Sequence, residues 1–166
     1  VTALRAAKAI DEDAPAVMWR EARVAIARGL GESDPASRRA SFSKARALGW
    51  ACVTGDTAGD LLREVGVAAA LAGIAGERRE CLSWTHLAWA RWYTEFGADA
   101  AALDRERLVE LAQAGAGSTG EAALRNRWAE SLVAAAEGRD EGWEQIQTDV
   151  AVVDRYRFLK PDELQD

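Results

Sequence analysis

Apolar residues recur along this chain at spacings of three and four, the period of a helix with one buried face. Trp84, Ala88, Trp92 and Glu95 fall on one such face, and the first three make an apolar stripe. No stretch alternates apolar and polar residues for long, and the β-branched residues also keep helical spacing, so strands are not expected. Start and stop residues divide the pattern into eight predicted helices. The first spans about 2–10. The second spans about 15–28, with Asp13 as its cap and Pro15 in its first turn. The third spans about 35–54, capped by Ser33 or Asp34, with Pro35 at a first helical position and Gly55 as its stop. The next three span about 58–72, 78–96 and 99–114; Gly97 ends the middle one and Asp99 caps the last. A seventh is capped by Ser118 or Thr119 and ended by Gly138. The eighth runs from Asp140 to about Phe158, before Pro161.

The punctuation repeats. Gly55-Asp56, Gly97-Ala98-Asp99 and Gly138-Arg139-Asp140 are 42 and 41 residues apart, with Trp50, Trp92 and Val133 five residues before each glycine. Second breaks recur between them, at Gly29-Leu30-Gly31, Gly73-Ile74-Ala75-Gly76 and Gly115-Ala116-Gly117. Two breaks per unit leave two helices per unit, as in a stacked helix-hairpin array. A shift of 42 lays Phe42 on Trp84, Ala45 on Leu87, Arg46 on Ala88 and Trp50 on Trp92; a further 41 lays Leu87 on Trp128, Ala88 on Ala129 and Trp92 on Val133. These positions are the expected inter-helix seam. In the alternate helices Val65 matches Leu108, Ala68 matches Leu111 and Ala69 matches Ala112, while Ile146, Val150 and Val153 form the corresponding stripe in the last helix. The expected fold is an all-α solenoid of about eight antiparallel helices in four helix-turn-helix pairs. It forms a single domain over 1–160 with a tail at 161–166.

Composition narrows the class. Hydrophobic residues make up 49% and charged residues 29% of the chain, the balance of a globular protein. A net charge of −6 with dispersed basic residues disfavours direct nucleic-acid binding. No window offers a membrane span, and residues 1–9 do not read as a secretion signal. Cys52 and Cys81 lack metal-ligand spacing and are too few for a disulfide framework, so two free, buried thiols in a reducing cytoplasm are expected. The start at Val1, in what reads as mid-repeat, suggests a piece of a larger protein.

The Trp50…Gly55-Asp56, Trp92…Gly97-Ala98-Asp99 and Val133…Gly138-Arg139-Asp140 units resemble the tetratricopeptide superfamily. The likeness is to the roughly 40-residue units of large ATP-binding bacterial regulators of the LuxR type. The units here are longer than the 34-residue pattern, and no Leu-Gly-x-x-Tyr run occurs. The resemblance implies a right-handed superhelix. It also implies a sensor or interaction arm of a cytoplasmic transcriptional or signalling regulator, which binds a small-molecule inducer, a peptide or a protein partner.

Subtracting the repeated positions leaves candidates for function. His86, Trp89 and Tyr93 share a face and lack aromatic counterparts; they map to Lys44 and Arg127, to Ala47 and Glu130, and to Ala51 and Ala134. On a concave surface this stripe would be a binding platform rimmed by Lys44, Arg127 and Glu130; inside a central helix it would be core. Either placement requires a hydrogen-bond acceptor near the Trp89 indole. His86 is the only histidine and Ser83 stands where a Glu-x-x-His metal pair would need a carboxylate, so no metal or other cofactor is expected. No nucleophile elbow, phosphate loop or dinucleotide fingerprint occurs; Gly115–Gly120 reads as an inter-helix turn. The runs Glu77-Arg78-Arg79-Glu80 and Asp104-Arg105-Glu106-Arg107 read as solvated faces with local ion pairs. The chain is therefore expected to be non-catalytic. A protein–protein scaffold, a helical-bundle enzyme and self-association through terminal repeats stand as alternatives.

Overall fold

The computed structural model describes residues 14–55, 67–76, 78–96 and 102–139, together with Leu4, Ala6, Ala7, Ala9 and Asp11. The described residues form six helices and no strand: α1 (Pro15–Gly31), α2 (Pro35–Thr54), α3 (Val67–Ala72), α4 (Arg78–Phe96), α5 (Ala102–Gly115) and α6 (Gly120–Ala136). Leu4, Ala6, Ala7 and Ala9 are also helical; the remainder of the first predicted helix, residues 58–66 and the eighth predicted helix lie outside the described residues.

Local chemistry sets the boundaries. Pro15 and Pro35 open α1 and α2, where a missing N–H costs nothing. Asp34 caps α2: its Oδ2 accepts from the Ser37 amide at 2.8 Å and from the Ser37 hydroxyl at 2.8 Å. Gly55, at φ 61°, ends the same helix and returns its N–H to the Ala51 carbonyl at 2.7 Å. α1 does not stop at the first predicted break. Gly29 is helical and buried, and a Cβ there would fall 2.6 Å from the Phe42 ring, so the glycine serves close packing of α1 on α2.

α4 lies at the centre. It packs on α2 and α6 at its two flanks and also touches α1 and α5. Its residues 81–90 are all buried, as expected for a helix with protein on every side. Phe42, Ala45, Trp84, Leu87, Ala88, Trp128, Ala129 and Val133 are buried, while Trp50 and Trp92 pack against the core partly buried. The α3 reading needs correction: Ala68 and Ala69 are exposed, and Leu71 is buried, with Val67 and Ile74 beside it. The larger side chains claim the buried stripe, because their greater apolar area gains more from burial.

α2 and α4 pack closely at Gly49, where an added Cβ would sit 2.9 Å from the Thr85 Cα. Gly49→Ala is therefore expected to destabilise the protein by about 1–3 kcal/mol, the usual range for overpacking. That exceeds the ~1 kcal/mol gained in helix propensity. Urea denaturation checks it; an unchanged midpoint would mean that the two helices separate freely.

The two cysteines correct a second expectation. Cys52 and Cys81 are buried as anticipated, but they are joined in a disulfide with a Cα–Cα distance of 5.5 Å. The bridge fastens the end of α2 to the start of α4, beside the Pro15 carbonyl of α1. Spacing along a chain does not reveal that two helix ends meet.

Candidate functional site

The aromatic stripe of α4 faces inward. His86 and Tyr93 are each 1% exposed and Trp89 is 9% exposed, so burial supports the core alternative for all three. Each polar tip finds a partner, one on α5 and two on α6 and its C-terminal cap. The Trp89 Nε1 donates to Asp104 Oδ1 of α5 at 2.7 Å, the acceptor that the indole required. The Tyr93 hydroxyl donates to Glu137 Oε1 at 3.4 Å. His86 Nδ1 lies 3.2 Å from Asn126 Oδ1 in α6. Asn126 Nδ2 donates to the Gly115 carbonyl at 3.2 Å and to Ser118 Oγ at 3.3 Å. The Asn126 oxygen is thereby left as acceptor, which assigns the proton to His86 Nδ1.

Burial pushes the His86 imidazole down to about 4, outweighing the upward pull of Asn126. The ring is uncharged at neutral pH in the fold, while the unfolded chain binds its proton near 6.5. The resulting stability is complete above 6.5 and is lost as pH falls toward 4. His86→Gln is expected to flatten this part of the pH–stability profile. A variant that keeps the native slope between pH 4 and 6.5 would show that His86 is solvated.

The rim residues Lys44, Arg127 and Glu130 are exposed. Although exposed, Glu130 is partly desolvated by the surrounding chain, which raises its carboxyl above the ordinary value, and the Arg127 charge three residues earlier on α6 pulls it back. Arg46 binds the inner layer instead. Its guanidinium lies 3.8 Å from the Trp92 ring and 5.1 Å from the Trp89 ring, and Nη1 reaches Asp104 Oδ1 at 3.1 Å. Trp50 meets Trp89 edge-on at 5.3 Å, and Trp92 donates to Ser43 Oγ at 3.1 Å.

Sequence reasoning missed the charged centre of the core. Arg125 is 2% exposed. Its Nε donates to Ser83 Oγ at 2.9 Å, its Nη2 pairs with Glu80, and its plane lies 4.6 Å from the Trp84 ring. Trp84 in turn stacks on Trp19 of α1 at 6.2 Å, and Arg20 covers the far face of Trp19 at 4.1 Å. Desolvation lowers the Arg125 pKa, opposed first by Glu80 and then by Glu121. Glu80 and Asp104 are thus tied to residues far along the chain, whereas Arg79, Arg105 and Glu106 of the same runs are exposed as expected. The signal was present in the repeat: a shift of 41 lays Trp84 on Arg125. A charge at a buried seam position must find a partner.

An open cleft of about 280 Å³ lies beside this network. Its lining includes the apolar Leu71, Ile74, Leu82 and Ala122 and the polar Arg79, Glu80, Ser118 and Thr119. One wall is the Gly115–Gly120 segment, which is a turn between α5 and α6 as expected, with Gly120 at φ 57°. Glu80 belongs both to the cleft and to the Arg125 pair, so Glu80 and Arg125 together connect the cleft to Trp84.

Among the described residues, no group of three or more His, Cys, Asp or Glu side chains converges as a metal site would require. Among them, too, no helix is long and apolar enough to cross a membrane. Fold and site together define an all-helical protein with an open, partly apolar cleft. Comparison with family models, curated proteins and solved structures gives no match to this chain.

Proposed function

We propose that this chain is a non-catalytic helical-repeat interaction module. In this reading it is a sensor arm of a bacterial transcriptional or signalling regulator, arranged as a right-handed superhelix of helix pairs. The observation that carries the reading is the correspondence between repeat and packing. α2, α4 and α6, one unit apart in sequence, are neighbours in space, and the repeated positions make their seam. A stacked array of this kind offers surface rather than a converging set of reactive groups.

The cleft is where a small ligand or a peptide side chain fits. Its lining combines apolar side chains with both charges, and Glu80 links it through Arg125 to a buried tryptophan. Lys44, Arg127 and Glu130 remain exposed for a partner, while His86, Trp89 and Tyr93 fix α4 in place. The compartment is tied to the bridge: a persistent Cys52–Cys81 disulfide fits an oxidising environment, whereas a cytoplasmic protein would hold two buried thiols.

A tryptophan-fluorescence titration of the full chain against a panel of metabolites and short peptides tests this reading. A saturable shift that Ala122→Phe abolishes by filling the cleft is the expected result. A shift that survives Ala122→Phe would move binding elsewhere. No shift with any panel member, together with a copurifying protein, would replace the sensor by a scaffold.

A further inference from the structure

Two buried polar networks run through the core, and both end on the cleft. The first is centred on Arg125, which is 2% exposed. It turns two carboxylates toward itself, pairing with Glu80 through Nη2 and facing Glu121 at 3.8 Å through Nη1. Glu80 lines the cleft, but its charge is committed inward. The second joins His86 and Asn126, which are 1% and 4% exposed. His86 Nδ1 donates to Asn126 Oδ1 at 3.2 Å, and Asn126 Nδ2 donates to Ser118 Oγ at 3.3 Å. Burying a histidine and an asparagine is costly unless each is matched. Here the matching chain runs outward and stops at Ser118, a hydroxyl on the cleft wall.

The direction of that chain sets the character of the cleft. Ser118 Oγ already accepts, so its own O–H remains to donate, and each bond of the chain polarises the next. Two further donors line the same cleft. Thr119 heads α6, yet its hydroxyl makes no cap bond. The Arg79 guanidinium makes no hydrogen bond or ion pair among the described residues. The cleft thus offers one uncommitted cation and two hydroxyl donors, while Glu80 is engaged. Beside them stand the hydrocarbon side chains of Leu71, Ile74 and Leu82. A volume of about 280 Å³ lies just under the roughly 300–1,000 Å³ of small-ligand pockets, so the occupant is of fragment size.

We propose that the cleft binds a small monocarboxylic acid with a hydrocarbon body. Its carboxylate meets Arg79, Ser118 and Thr119, and its chain lies against Leu71, Ile74 and Leu82. This inference rests on the reading of the cleft as the ligand site and adds the ligand's chemistry. The planar guanidinium of Arg79 matches the two oxygens of a carboxylate. One cation balances one negative charge, and the carboxylates of Glu80 and Glu121 close by oppose a dianion. An ammonium group would meet donors and a carboxylate already held by Arg125.

The test uses the full chain with hexanoate as the probe, set against acetate, hexanol and hexylammonium. The backbone amide NMR shifts of Gly117, Ser118 and Thr119 report on the cleft wall. Hexanoate is expected to move them saturably with a Kd on the order of 1 mM, the range for a ligand of about eight non-hydrogen atoms. Acetate should bind at least about tenfold more weakly, because it leaves the apolar wall uncovered. Hexanol and hexylammonium should also fall at least about tenfold, because neither carries the anion. Arg79→Gln is expected to weaken hexanoate at least about tenfold and Ser118→Ala at least about threefold. Arg79 is exposed, so Arg79→Gln should keep the native Tm and remain a valid test even if Ala122→Phe fails to fold. Hexylammonium binding as tightly as hexanoate would overturn the proposal, as would hexanoate binding that Arg79→Gln leaves unchanged. A cleft that answers another metabolite or peptide, with Ala122→Phe abolishing that response, but ignores hexanoate would overturn the acid and leave the ligand site standing. Silence of the cleft amides toward every compound would remove both.

Discussion

Trp84→Ala is expected to remove about 3–5 kcal/mol of stability, the range for truncating a large buried aromatic. Trp84 is 1% exposed and touches more of the molecule than its own area suggests. It lies parallel to Trp19, with an interplanar angle of 5°, and so carries α1 onto α4. Its other neighbour is Arg125, whose charge is stabilised inside the protein partly by that indole. Removal opens a cavity and strips a buried cation of one support, and the second effect adds to the first. For a protein of this size each kcal/mol shifts Tm by about 2–4 °C, so a drop of roughly 10 °C or more is expected. Trp50→Ala is the internal control, since Trp50 is partly exposed and its loss should cost clearly less. Thermal and urea denaturation of both variants decide it. Equal losses would mean that α1 is not held through the Trp19–Trp84 stack.

The Cys52–Cys81 bridge carries the second large effect. The two residues are 29 apart in sequence, and closing a loop of that length restricts the unfolded chain by about 3–4 kcal/mol. Joint replacement by serine is expected to lose that amount. The loss is nearly all on the unfolded side, because the native packing of two small buried side chains changes little. Reduction without mutation should cost somewhat less, since the Cys52 thiol would have the Pro15 carbonyl within 3.4 Å as an acceptor. Both sulfurs are buried, so a dithiol reductant reaches them only through local opening of the α2–α4 junction. Reduction by dithiothreitol should therefore be slow in the native state and fast in urea. A reduced protein with native stability would show that the junction stands without its bridge.

The helices were legible because their signals are local. Asp34 and Pro35 cap a helix by the geometry of one turn, and Gly55 stops it for the same reason. The seam was legible because the repeat encodes one packing position several times, as at Phe42 and Trp84. What the repeat does not encode was misread or missed. Gly29 resembles a helix breaker until the Phe42 ring is placed against it. Ala68 and Ala69 matched the periodic pattern of α5, yet the stripe that α3 buries falls at Leu71. The disulfide joins residues whose proximity is a property of two packed helices. Arg125 was visible as a charge at the register of Trp84, and Asn126 falls at the register of Thr85, but their partners at Glu80 and His86 come from another unit. The stripe at His86, Trp89 and Tyr93 was recognised as distinct from the neighbouring units. Its inward orientation follows from α5 and α6 supplying Asp104 and Asn126, which no single helix could disclose.

The central position of α4 has an evolutionary consequence. In a regular array each unit leans only on the next, so whole units can be duplicated or deleted without rewriting the others. Here α1 and α2, from different units, both rest on α4, and α6 closes its opposite side. Excising the unit that contains α4 would leave Trp19 without Trp84, Arg125 without Glu80 and Cys52 without Cys81. Change residue by residue in the helices around α4 is therefore expected to be tolerated far better than deletion or duplication of α4 itself.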